Sequence, residues 1–342
     1  MTFIYFVLIL GITVCIHEFG HFLFAKKAGI YCYEFSIGMG PLIKSWKRKN
    51  DETLYCIRAI PIGGYVSMAG EQIDDDDDVP KTKRLYNKTW SQRFMTIVAG
   101  VMFNFILAIV IFFIVGLFNG CPSKYAYISS LQKGMPAYTS GLQEGDKILK
   151  LNGKKTSADM LLLDLMVSKD KTVTLTVEHK NNEIENIKMK PKKVKGEYKF
   201  GFGIGRDVQK GFFAAIKYAF QNTISLVVQM VNILKYLFTG KLALNNLSGP
   251  VGIYQAVGET AKSGLLSLIY LLGYISLNVG FMNLLPIPAF DGGRLFFLII
   301  EKIKGSAVSP KFENTVHSVG MCFLLLLMLV ITYNDIVRIF FK

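Results

Sequence analysis

The sequence predicts a polytopic α-helical membrane protein with four transmembrane helices, and three observations predict it. Of the 342 residues, 51% are hydrophobic and 13% aromatic, with a positive mean hydropathy, which points away from an ordinary soluble domain. Four stretches are apolar over the roughly 20 residues that a helix needs to cross a bilayer. They are Thr2 to Ala25, Phe94 to Phe118, Gly264 to Pro286 and Val319 to about Phe341. Lys and Arg crowd the two short loops between these spans, from Lys26 to Arg93 and from Arg294 to Lys311.

The first stretch has no positive segment before it and no small-residue cleavage site after it, so it is expected to remain in the mature protein rather than leave as a signal peptide. The second has no charged residue, whereas the fourth is interrupted at its far end by Asp335 and Arg338. Basic short loops mark the cytoplasmic side of a membrane. Both termini and the long 119–263 segment are then expected outside, because long domains translocate largely regardless of charge. The net charge of +14 sits largely beside apolar runs, which makes it membrane flanking rather than a nucleic-acid surface. The five cysteines, Cys15, Cys32, Cys56, Cys121 and Cys322, are odd in number and lack CxxC pairing, so no disulfide framework is expected.

Span one contains "VCIHEFGHFLF", Val14 to Phe24. Ionisable groups inside a span are costly and mark function. His17 and His21 are four apart and share one helix face with Glu18 beside them, the spacing by which two imidazoles hold a zinc ion while a carboxylate moves protons. Counting about 1.5 Å per residue places His17 near the cytoplasmic boundary of the bilayer. A catalytic zinc needs a third protein ligand. The remaining histidines, His179 in a polar Lys-rich stretch and His317 at the start of span four, are set aside in favour of Asp291. That residue lies in "NLLPIPAFDGGR", Asn283 to Arg294, where Pro286 and Pro288 break the helix and Gly292 and Gly293 permit unusual backbone angles. Broken backbone at membrane depth is tolerated only where it is buried in protein or lines a watery cavity. Span three runs from outside to inside, which brings Asp291 to the depth of His17 and His21.

HEFGH in the first span together with NLLPIPAFDGG in the third resembles the site-2 protease family of intramembrane zinc metalloproteases, in its bacterial, PDZ-containing branch of regulator of sigma factor protease type. The resemblance covers essentially the whole chain. It implies His17, His21 and Asp291 as Zn2+ ligands, Glu18 as catalytic base and Asn283 as a polar group near substrate. "RFMTIVAGVMFNF", Arg93 to Phe105, resembles the family's second span, and "NLSGPVGI", Asn246 to Ile253, its segment before the third. Val101, Phe290 and Arg294 depart from the family pattern without removing a ligand or the base.

The expected organisation follows. Residues 1–30 form the first transmembrane helix, 31–73 a β region, 74–93 a cytoplasmic linker and 94–118 the second helix. The β region alternates β-prone runs with Gly and Pro breaks, and the resemblance implies a membrane-reentrant β-hairpin whose edge takes an extended substrate. The acidic run Asp74 to Asp78 lacks calcium-loop spacing and reads as solvated linker. Residues 121–206 alternate strands and turns and resemble one extracytoplasmic PDZ domain. Residues 208–262 read as an amphipathic interfacial region, 264–294 as the third transmembrane helix and 318–341 as the fourth.

The function implied is zinc-dependent endopeptidase cleavage within transmembrane segments. The expected substrates are single-pass membrane proteins already cut by an upstream site-1 type protease, such as anti-sigma factors or signal-peptide remnants. A non-catalytic PDZ scaffold would leave the His17, Glu18, His21 and Asp291 set unexplained, and a transporter would show inverted repeats that the two halves lack.

Overall fold

The computed structural model describes residues 1–71, 78–194, 197–243 and 247–340. In chain order it forms α1 (Thr2–Lys27), β1 (Cys32–Lys47), β2 (Leu54–Met68) and α2 (Trp90–Asn119), followed by β3 (Cys121–Pro122), β4 (Ala126–Leu131), α3 (Pro136–Thr139), β5 (Lys147–Leu151), β6 (Lys154–Lys155) and α4 (Ala158–Ser168). Next come β7 (Val173–Glu178), β8 (Ile184–Met189), β9 (Lys192–Val194), β10 (Glu197–Lys199), β11 (Phe202–Gly205) and β12 (Val208–Gln209), then α5 (Phe212–Phe238), α6 (Pro250–Lys262), α7 (Leu265–Leu284), α8 (Asp291–Lys304) and α9 (Pro310–Phe340). Two compact units result, one of Met1–Ile111 with Leu244–Lys342 and one of Phe112–Ala243. Among the described residues, four helices are long and apolar enough to cross a membrane: α1, α2, α7 and, within α9, Lys311–Arg338.

In the larger unit, α1 is apolar over most of its length, interrupted by His17, Glu18 and His21, and ends on Lys26 and Lys27, whose charges suit the carboxyl end of a helix dipole. Gly20 brings α1 against α2: a Cβ there would lie 2.5 Å from the Ala99 carbonyl oxygen. α7 stops at Leu284 because Pro286 forces Leu285 into extended backbone. Residues 285–290 are not helical, and a separate amphipathic helix, α8, starts at Asp291. The 264–294 segment is therefore a helix, a loop and the start of a second helix. Gly292 and Gly293 do not supply unusual backbone angles. The positive φ belongs to Ala289, at 79°. The glycines are needed for space, since a Cβ on Gly292 would meet the Leu285 carbonyl oxygen at 2.1 Å and one on Gly293 the Ile287 carbonyl oxygen at 2.7 Å.

β1 and β2 make one hairpin folded back on itself. The first half of β1 pairs on one side with the end of β2 (Phe35 with Val66) and on the other with its beginning (Phe35 with Tyr55), while the far half of β1 pairs again with that beginning (Trp46 with Tyr55). The result is four short strands, and the end of β2 is one free edge. The bends need left-handed backbone, supplied by Gly38 (φ 86°) and Gly63 (φ 84°). The turn is held at the end of α1, where Lys26 Nζ donates to Asp51 and Glu52, each at 2.7 Å. The bend of β2 runs alongside the helix, so that a Cβ on Gly11 would lie 2.5 Å from the Pro61 carbonyl oxygen. Phe22, Ala25, Phe35, Tyr55, Val66 and Met68 form the core that seals sheet to helix. Of the acidic run, Asp74 to Asp77 lie outside the described residues, as does Asn246 of the NLSGPVGI segment.

Asp335 and Arg338 have a structural task. Asp335, 1% exposed, accepts the Gly249 and Gly252 amides, each at 2.8 Å, and so caps the amino end of α6. Arg338 donates to its other oxygen at 2.9 Å.

The smaller unit holds an antiparallel sheet in the order β11-β4-β5-β7-β8, with β6 beside β5, packed on α4 through Ile128, Ile148, Leu161, Val173, Leu175 and Val177. Among the described residues of 208–262 lie α5 and α6. α5, in this unit, exposes Phe213, Phe220, Ile224 and Val231, the spacing of one helix face. His179 bridges buried Asp146 (Nδ1 to Oδ1, 2.7 Å) and Glu185 (Nε2 to Oε2, 3.1 Å), so both its nitrogens are engaged. The Asp146 bond first, and the Glu185 bond second, raise its pKa above the usual 6.5. Its stabilisation is then full below about pH 6.5 and is lost as pH rises through the raised folded value. Hydrogen-exchange protection of the β5–β7–β8 strands is expected to fall across that alkaline window in the wild type and to stay flat in His179→Ala.

Candidate metal centre

Three side chains from two distant parts of the chain converge beside α2. His17 Nε2 lies 3.0 Å and His21 Nε2 3.3 Å from Asp291 Oδ2, and the two Nε2 atoms are 3.2 Å apart. A tetrahedral zinc site with bonds of about 2.0–2.1 Å has ligand-to-ligand edges of about 3.3 Å. The three atoms thus stand at the corners of such a face.

The hydrogen bonds around the rings leave both Nε2 atoms free. His21 Nδ1 donates to the Thr96 carbonyl oxygen at 2.8 Å. The Asn104 side-chain amide reaches His17 Nδ1 at 3.3 Å. With its nitrogen toward the ring, Asn104 Oδ1 is a buried acceptor without a donor. With its oxygen toward the ring it takes the Nδ1–H, as groups behind metal-bound histidines do. Both rings then carry their proton on Nδ1, and the short Nε2–Nε2 distance is a meeting of two lone pairs rather than a hydrogen bond. Asp291 Oδ2 likewise has no donor although it is buried. Two lone pairs and a carboxylate oxygen pointing at one place fit a divalent cation. Among the described residues this is the one cluster of His, Cys, Asp and Glu with metal-ligand geometry.

α2 leaves room for that cation through Gly100, where a Cβ would sit 2.3 Å from His21 Nε2 and 2.8 Å from His17 Cε1. Glu18 faces a cavity of about 840 Å³ that it shares with His17, His21 and Asp291. Its Oε2 accepts the Val66 amide at 3.2 Å, which ties the base candidate to the free edge of the sheet. Val66 and Met68 line the same cavity. Arg294, one turn after Asp291, also lines it and is paired with Glu71 at 2.6 Å.

Of the residues singled out in the sequence, the structure brings His17, Glu18, His21 and Asp291 together. Asn283 lies in the last turn of α7, is partly exposed and is not among the residues lining this cavity. His179 stays in the smaller unit. His317, set aside as a ligand, lines the cavity. Sequence reasoning missed the supporting roles of Thr96, Gly100 and Asn104. The available signal was "AGVMFN", a glycine and an amide four residues apart and therefore on one face of an uncharged span.

The sequence pattern of peptidase family M50 matches residues 5–327. The regulator of sigma-W protease RasP of Bacillus subtilis is 34% identical, covering 99% of this chain and 99% of that protein. The zinc metalloprotease RasP of Bacillus licheniformis is also 34% identical with the same coverage. A PDZ domain of an SdrC-like protein from Listeria monocytogenes aligns with 24% of this chain and 88% of that one at 23% identity and a TM-score of 0.22.

Proposed function

Since the chain belongs to peptidase family M50 and is a multi-pass membrane zinc metalloprotease, we propose that His17, His21 and Asp291 hold the zinc and that Glu18 is the base for peptide hydrolysis inside the membrane. The observation that carries this reading is the triangle of Nε2, Nε2 and Oδ2 atoms with edges of 3.0–3.3 Å, with Glu18 in the same cavity. When bound, zinc supplies a Lewis acid and a water of lowered pKa. Glu18 takes a proton from the attacking water and returns it to the leaving amine. The Val66 amide holds one of its oxygens, so the other is left for the proton.

A helical substrate hides its carbonyls in its own hydrogen bonds and must be opened before attack. The free edge at the end of β2 borders the cavity, and an extended segment added there would lie beside Glu18. The approach of Pro61 to Gly11, far from the cytoplasmic end of α1, supports a membrane-reentrant placement of the hairpin. Asn283, in the last turn before the loop, is proposed as a further contact for the opened segment. The basic loops support a topology with both termini and the long 119–263 segment outside, and the strand order within residues 121–206 supports a PDZ domain. By analogy with the sigma-W regulator, the substrates are single-pass proteins of anti-sigma factor type, first trimmed by an upstream protease.

The test is a panel of transmembrane reporters incubated with purified protein in detergent. Chelation is expected to abolish cleavage within the membrane segment, and stoichiometric zinc to restore it. Cleavage that survives complete metal removal, or no cleavage of any reporter by zinc-replete protein, overturns the reading.

A further inference from the structure

The cavity contains a polar atom that the hydrolysis outlined above does not use, and it comes from the last span. His317 of α9 accepts the Ala289 amide at Nδ1, 2.9 Å away. A nitrogen that accepts carries no proton, so the ring proton is on Nε2. That atom is buried and has no hydrogen-bond partner among the described residues. The nearest carboxylate, Glu313, is 4.0 Å away, beyond hydrogen-bond reach. The ring lies close to the start of α8, where a Cβ on Gly293 would meet His317 Cε1 at 3.1 Å.

The neighbouring groups have the opposite character. Glu18 and Asp291 are acceptors, the His17 and His21 Nε2 atoms are lone pairs, and Arg294 is tied to Glu71. Asn314, Ser318 and Met321 line the cavity with His317. Their i, i+3, i+4, i+7 spacing is that of one helix face, so α9 forms a wall of the space next to the metal centre. A peptide segment unwound in this space brings carbonyl oxygens that have lost their own donors, and each needs a new one inside the membrane.

We propose that His317 is a substrate-contacting residue, its Nε2–H donating to a backbone carbonyl of the opened segment while its Nδ1 holds the loop that carries Asp291. This rests on the protease reading above. It assigns α9 a part in binding the substrate.

Two substitutions separate the two nitrogens. His317→Asn keeps an oxygen near the Nδ1 position for the Ala289 amide and removes the Nε2–H. His317→Gln carries an N–H to the Nε2 position and gives up the Nδ1 contact. Binding of a fluorescent transmembrane reporter peptide is measured in the Glu18→Gln background, and kcat/KM and zinc content with Glu18 intact. His317→Asn is expected to keep full zinc and to bind the peptide about tenfold more weakly, the loss of one neutral hydrogen bond, with at least that fall in kcat/KM. His317→Gln is expected to recover most of the binding. Wild-type binding and cleavage by His317→Asn overturns the proposal. Zinc loss in both variants, or equal binding loss in both with zinc retained, also overturns it, because His317 would then support only the loop. If zinc-replete wild type cleaves nothing, the protease reading has failed instead.

Discussion

Glu18→Gln is expected to lose reporter cleavage by about 10³-fold or more while keeping zinc at the wild-type level. The substitution preserves shape, and an amide oxygen still accepts the Val66 N–H that the carboxylate holds at 3.2 Å. His17, His21 and Asp291 are untouched. What disappears is the ability to take a proton, and positioned general acid–base groups contribute about 10²–10⁴-fold. The effect should exceed one proton transfer's worth, because the same group serves both the attacking water and the leaving amine. Single-turnover cleavage with zinc assayed on the same samples checks this. Substantial activity in the variant would transfer the base role to another group.

Asp291→Ala is expected to lose the metal itself. Asp291 is the single anionic member of the triangle, and its removal leaves two neutral imidazoles facing a divalent cation at membrane depth, where uncompensated charge is costly. Zinc retained after gel filtration against a mild chelator should fall well below stoichiometric, and cleavage should fall with it. Asn104→Ala makes a graded comparison. It leaves every ligand in place and removes only the partner of His17 Nδ1, so a 10–100-fold loss of zinc affinity is expected. His179→Ala should change neither property. Full zinc content in Asp291→Ala would require another ligand.

The chemistry was legible because it is written at fixed helical spacing. HEFGH puts two imidazoles on one face, and the Pro-x-Pro break before Asp291 announces backbone that must line a polar space. The parts that were not legible depend on contacts between distant segments. Asn104 and Thr96 serve the histidines only because Gly20 and Ala99 let α1 and α2 touch. The two halves of β1 and β2 each read as short β runs, but their folding into four strands depends on where Gly38 and Gly63 bend. Gly292 and Gly293 suggested backbone freedom, whereas the structure uses them for closeness, and Ala289 carries the left-handed angle. Composition cannot tell these two uses of glycine apart.

The two contacts made by α9, His317 on the Ala289 amide and Asp335 on the amino end of α6, also bear on how the protein is made. All three proposed zinc ligands and the base have been synthesised by residue 291, so the reactive groups exist in the chain before α9 does. Until residue 317 arrives, the Ala289 amide in a left-handed turn has no acceptor, and until residue 335 arrives α6 begins without a cap. A nascent chain halted between these points would own every reactive group yet lack the wall and the cap that hold them in place. A chain truncated before α9 is therefore expected to carry the proposed ligands and base and yet fail to cleave the reporters.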